Sequence, residues 1–201
     1  MPDPNNNAHA KSASFLSTQK PVERTPLHTR RITCEAFERA DGMIDVEVQL
    51  QDISPQGTQL LVKSVSAGGA IHDMLIAVTI DRDMLIHDAR AHIRTGPISS
   101  CNEVESTYAK LKGLHIRAGF RQKVKALVGG TLGCTHLNEL LNPLSTTAMQ
   151  ARMAITRREQ GVVPTGTAPM PRPALIGTCH TYREDGAAAE KIWPRHRRAG
   201  V

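Results

Sequence analysis

Residues 71–93 read I-H-D-M-L-I-A-V-T-I-D-R-D-M-L-I-H-D-A-R-A-H-I. Two apolar runs, 74–80 and 84–93, meet at the polar turn Asp81-Arg82-Asp83, and together they read as a β-hairpin. Upstream, residues 44–52 alternate cleanly, with Ile44, Val46, Val48 and Leu50 on one face and Asp45, Glu47 and Gln49 on the other. Residues 32–38 form a further strand, joined to 44–52 around Ala40-Asp41-Gly42, and Asp-Gly is a strong tight-turn signal. Cys34 falls on this strand and is expected to face the core. Two sequential hairpins predict an antiparallel sheet, which keeps one wet face and needs cover over the other.

Helical periodicity follows the sheet. Gly96-Pro97 breaks the chain, and Ser99 or Ser100 is placed to cap a helix from 101 to 111 that ends at Gly113. A second helix is expected over 120–128, with Val124, Leu127 and Val128 as its apolar stripe. A third starts near Cys134 and runs through Met149 and Met153, with a kink expected at Pro143. The predicted fold is α+β, an antiparallel sheet from two hairpins covered on one face by the later helices. Residues 54–70 read as a long connection. Residues 1–20 are polar and aperiodic, so disorder is expected there. The domain is expected over 21–157, followed by a Pro/Gly linker over 158–173 and a tail over 174–201 that packs back on the domain.

The chain has 201 residues, enough for one domain with a real core. It opens without a charged segment leading into an apolar run, and no stretch approaches the ~18–20 apolar residues of a membrane span. A cytoplasmic setting is therefore expected, and the cysteines 34, 101, 134 and 179 read as thiols or ligands rather than disulfides. The net charge is +6, but the basic residues are scattered and only 3% of residues are aromatic. There is no stacking platform for single strands, so nucleic acid is not an expected partner.

The chemistry concentrates in residues 129–144, G-G-T-L-G-C-T-H-L-N-E-L-L-N-P-L. Cys134 and His136 follow a glycine hinge at the start of a helix, where a thiol is a candidate metal ligand or nucleophile. Two other places bring metal-type side chains to element ends: His72-Asp73 opens the third strand, and Cys101 starts the helix after the fourth. His72, Cys101, Cys134 and His136 are the predicted metal ligands, and Asp73 the predicted fifth donor or catalytic base. Thiolate and imidazole donors suit zinc or iron, including an iron–sulfur centre, rather than calcium or magnesium. His87 and His92, five apart on one strand, point to opposite faces, and His115 sits in a loop beside Arg117. His28 and the pair Cys179-His180 stay unassigned.

Two resemblances extend this reading. R-T-P-L-H-T-R-R-I, I-H-D-M, G-C-T-H-L-N-E-L-L and T-C-H-T-Y-R-E-D-G, spread over residues 23–198, resemble a bacterial family known only as a domain of unknown function. It implies no activity. The order of elements and donors over 44–155 also looks like the NifU-type iron–sulfur scaffold fold, in which His72-Asp73, Cys101 and Cys134 with His136 would stand at the ligand positions. The chain departs from that pattern: histidine replaces the first cysteine, and the last pair is Cys-x-His. Three functional readings follow. One is a metal-dependent enzyme acting on a small organic substrate. Another is an iron–sulfur or sulfur-transfer scaffold that meets a sulfur- or metal-donor protein. The last is a structural protein without catalysis.

Overall fold

The alternation in the sequence becomes the sheet. In the computed structural model, which describes residues 23–161 and 168–199, β1 (Thr29–Glu38) and β2 (Ile44–Ser54) form the first hairpin. Gly42 closes it at φ +82°, a left-handed conformation that favours glycine. The connection to the second hairpin carries two very short strands, β3 (Thr58–Gln59) and β4 (Ser64–Val65), which pair only with each other. The second hairpin is β5 (Gly69–Ile80) and β6 (Ile86–Thr95). The sheet order is β1-β2-β5-β6, antiparallel throughout.

The turn of the second hairpin extends further than the apolar pattern suggests. Asp81 Oδ1 accepts the N–H groups of both Asp83 and Leu85, and Met84 sits at φ +66°. Met84 therefore belongs to the turn, and the strand starts at Ile86.

One face of the sheet is apolar. Ile44, Val46, Val48 and Leu50 of β2 and Met74, Ile76, Val78 and Ile80 of β5 are all buried. Cys34 and Ala36 of β1 pack against this core, as the strand reading of Cys34 requires. The cover comes from three helices. The segment Ser99–Leu111 is a 3-10 helix with Ile98, not a serine, at its start. Its side chains are tied to β6: the Glu105 carboxylate accepts the Ile93 N–H, and Asn102 Nδ2 donates to Ile93 O. Then come α1 (Phe120–Val128) and α2 (Thr135–Gln160). α2 presents Leu137, Leu140, Leu141, Leu144 and Ala148 to the core. It continues unbroken through Pro143 and ends three residues beyond 157, the expected domain boundary.

The tail builds a small cluster of its own from Met170, Ile176, Ala189 and Trp193, with α3 (Ala187–Ile192) as its helix. The expected disorder of 1–20 and the middle of the expected linker, 162–167, lie outside the described residues. Among the described residues no helix is long and apolar enough to cross a membrane.

If α2 is held by its leucine stripe, Leu140→Ala should cost about 2–5 kcal/mol. Met149→Ala, on the exposed side of the same helix, should stay within about 0.5 kcal/mol. Urea unfolding of the two variants compares them directly.

Candidate metal centre

The apolar stripe of β2 does not stop at Leu50. The next residue of the same parity, Asp52, also faces the core and is 1% exposed. On β5 the stripe Ile80, Val78, Ile76, Met74 is continued in the same way by His72. The strand registers set Arg30 opposite Asp52, and Asp52 opposite His72. Basic, acidic and imidazole groups thus form one row across three strands, at the end of the apolar face.

A carboxylate so buried must be hydrogen-bonded or neutralised, and Asp52 is both. Arg30 grips it with two bonds, Nε to Oδ1 at 2.8 Å and Nη2 to Oδ2 at 2.7 Å. His28 Nε2 lies 2.9 Å from Oδ1, and His72 Nδ1 lies 3.0 Å from Oδ2. The Arg30 hydrogen bonds hold the Asp52 carboxyl far below the usual carboxylate range, against the opposing effect of burial, and His28 and His72 add to them. The carboxylate is thus an acceptor only, so His72 donates through Nδ1 and keeps Nε2 as a free lone pair. Burial pushes the His72 imidazole below its ordinary value, helped by the neighbouring His136 and opposed by the bond to Asp52.

His136 arrives from the other layer. Cys134 is the N-cap of α2, so His136 lies in the helix's first turn. Tyr108 fixes that turn. Its buried hydroxyl accepts the Cys134 N–H at 3.1 Å and faces Asn138 Oδ1 at 2.8 Å, while Asn138 Nδ2 donates to Val128 O. Burial pushes the Tyr108 phenol up to about 12, so it stays a neutral hydroxyl. Gly133 has extended angles; what it supplies is room, because a Cβ there would run into Val128 O. Placed this way, the His136 ring stacks at a tilt on His72 with centroids 3.9 Å apart, and its Nε2 is 3.9 Å from Asp52 Oδ2. Glu139, one turn further on, accepts a 2.7 Å bond from Arg30 Nη1.

Asp52, His72 and His136 therefore offer ligand atoms that all lie within 4.8 Å of one another, a group that can hold a metal ion. Of the predicted ligands, the structure brings His72 and His136 together. Cys134 stands beside them, its Sγ 4.0 Å from His136 Nδ1 and 4.0 Å from Met74 Sδ. Cys101 is elsewhere, packed over Gly96 and near Ile93 at the β6 side. Asp73 lies on the opposite face from His72, since consecutive strand residues alternate. There it accepts from Gln49 Nε2 at 2.7 Å and Gln51 Nε2 at 3.3 Å. Asp52, Arg30 and His28 are not among the predicted site residues. The signal for Asp52 is its parity, an acidic residue on the buried phase of an apolar strand. His87 and His92 pair with Asp81 and Glu105.

A family model matches residues 28–150, well over half of the chain. The chain belongs to a family of proteins of unknown function, DUF2889. The matched span opens at His28 and contains every residue of the cluster; Cys179 and His180 fall beyond it. No curated protein and no solved structure matches the chain.

The electrostatics set a pH profile for folding. Both depressed groups bind protons less readily in the folded state, so stability falls as the unfolded chain takes them up. Stability should decline as pH drops below the ordinary histidine value of 6.5, through His72. It should decline again below the ordinary aspartate value of 3.8, through Asp52. Asp52→Asn should shrink the second decline and cost about 1–3 kcal/mol near neutrality, because it takes the charged acceptor from Arg30, His28 and His72 while Arg30 keeps Glu139. Urea titrations across that pH range measure both effects.

Proposed function

We propose that the chain is a metal-dependent enzyme acting on a small organic substrate, with zinc or iron held by His72, His136 and Asp52. The observation that carries this reading is the convergence of two imidazoles and one carboxylate from three separate elements within 4.8 Å. Two histidines with one carboxylate is a donor set used for catalytic zinc and for mononuclear non-haem iron. Three protein donors leave a position for water or substrate, and a purely structural zinc takes four. The His136 side chain is 27% exposed, which gives that position a route to solvent.

The metal would supply Lewis acidity or lower the pKa of bound water. The chain's own groups do the rest. Arg30 and His28 fix the Asp52 carboxylate, as hydrogen-bonded outer groups orient metal ligands generally. Proton transfer, expected of Asp73, belongs in this reading to His28, the half-exposed imidazole at the rim. Metal competes with a proton for the His72 Nε2 lone pair, so binding weakens as pH falls.

A second reading rests on two distances. His136 presents Nδ1 to the Cys134 thiol at 4.0 Å and Nε2 to Asp52 at 3.9 Å, the order of a thiol–imidazole–carboxylate relay in nucleophilic catalysis. An iron–sulfur scaffold has less support, because Cys134 is the one thiol described beside the cluster and clusters are held mainly by several thiolates.

Chelator-treated protein titrated with Zn²⁺, Co²⁺ or Fe²⁺ tests the proposal by calorimetry. One site per chain is expected. His136→Ala and His72→Ala should each lower affinity by at least about 10–100-fold, the loss that removing even an outer partner of a metal ligand brings, and Cys134→Ser should leave it nearly unchanged. Absence of stoichiometric binding would sink the metal reading. Rapid, pH-dependent alkylation of Cys134 that is lost in His136→Ala would favour the thiol relay.

A further inference from the structure

The two edges of the sheet are treated differently. At the β6 edge, the backbone N–H and C=O of Ile93 are taken up by Glu105 and Asn102 of the 3-10 helix. At the other edge, β1 pairs with β2 without a register shift over ten residues, and nothing described pairs with its outer side. It contains neither proline nor glycine. Long, regular, uncovered edges of this kind are templates for pairing with another strand.

The charges of β1 are arranged for one particular partner. Arg30 and Arg31 lie in its first half, Glu35 and Glu38 in its second. Arg30 and Glu38 are engaged inside the chain. Arg31 and Glu35 have no ion-pair partner among the described residues. Glu35 is worse than unpartnered, since it stands directly opposite Glu47 of β2, and like charges opposite each other destabilise a sheet. The edge also leaves Ile32 39% and Phe37 48% exposed.

We propose that β1 pairs antiparallel with β1 of a second copy of this chain, about a two-fold axis at Thr33, to make one continuous eight-stranded sheet. This register keeps the apolar faces of both copies on the same side. It sets Arg31 of each copy opposite Glu35 of the other, so each Glu35–Glu47 repulsion is relieved by a cation. It also sets Ile32 opposite Cys34 and covers part of the exposed apolar edge. A two-fold axis makes both charge pairs identical, as an isologous interface requires. A register one pair further along would set Thr33 against Glu35 and Arg31 against Phe37 and relieve nothing.

Light scattering coupled to gel filtration, on the full chain, reads the outcome. Wild type should run at twice the 21.9 kDa chain mass. Arg31→Glu and Glu35→Arg each place like charges at both pairs and should raise the dimer dissociation constant at least about tenfold. Neither residue has an ion-pair partner among the described residues, so folding, followed by circular dichroism, should be unaffected. In a mixture of the two single variants, a copy acidic at both positions meets a copy basic at both. Both pairs are then complementary again, and a heterodimer should form. The double variant, with the two charges exchanged, should restore a homodimer. A wild type that is monomeric at its highest soluble concentration overturns the proposal. So does a dimer insensitive to both single changes, or a loss that neither mixing nor the double variant repairs.

Discussion

A carboxylate that water barely reaches organises one end of this molecule. Asp52 continues the apolar stripe of β2, so strand parity drives it into the interior. Leaving such a charge without partners is costly by several kcal/mol. Every remedy for that cost constrains another element. Arg30 must come from β1 in register, His72 from β5 in register, and His28 from the segment leading into β1. Arg30 is in turn claimed by Glu139, which fixes the start of α2 over the same spot. One buried charge thus specifies the mutual placement of three strands and a helix, where apolar packing alone would tolerate small shifts.

The helix is fastened at both ends. Arg30–Glu139 binds its first turns to the beginning of β1, and Arg158–Glu38 binds its last turns to the end of the same strand. Such exposed ion pairs contribute little stability each. Their consequence is orientation: they bracket the leucine stripe that supplies the binding energy and hold α2 along β1. His136 then needs only the local fix of its own turn. The Tyr108 hydroxyl, Asn138 and the close approach at Gly133 supply it.

This division explains what can be read from the sequence. Alternation and turn residues carry the sheet, because both are local; the α+β class and the two hairpins follow from them. The placement of Met84 does not, because its left-handed angle is imposed by Asp81 gathering two N–H groups, a three-dimensional event. His72 and His136 are legible as donors at element ends. Asp73 is grouped with His72 by adjacency, but adjacency on a strand separates side chains to opposite faces. Cys101 is placed at the correct end of the sheet, since β6 runs antiparallel to β5, but it sits over Gly96 on the β6 side. Sequence order fixes which end a residue reaches and not which edge. Asp52 is legible in principle from the parity of 44, 46, 48 and 50, yet by type it reads as a polar residue closing a strand.

The balance of charge bears on which ligand the cluster suits. If Asp52 served only to anchor the strands, Arg30 alone would neutralise it, and the remaining hydrogen bonds would complete a closed pair. Glu139 takes a second bond from the same guanidinium. Two carboxylates then share one arginine, and the cluster carries a net negative charge beside stacked imidazoles. A pocket for a phosphate or carboxylate group would be built the other way, with unshared cationic donors facing inward. Imidazole lone pairs next to surplus negative charge favour a cation, and the donors that would touch it are nitrogen and oxygen. That preference fits the proposed zinc or iron, and it distinguishes the cluster from an anion site.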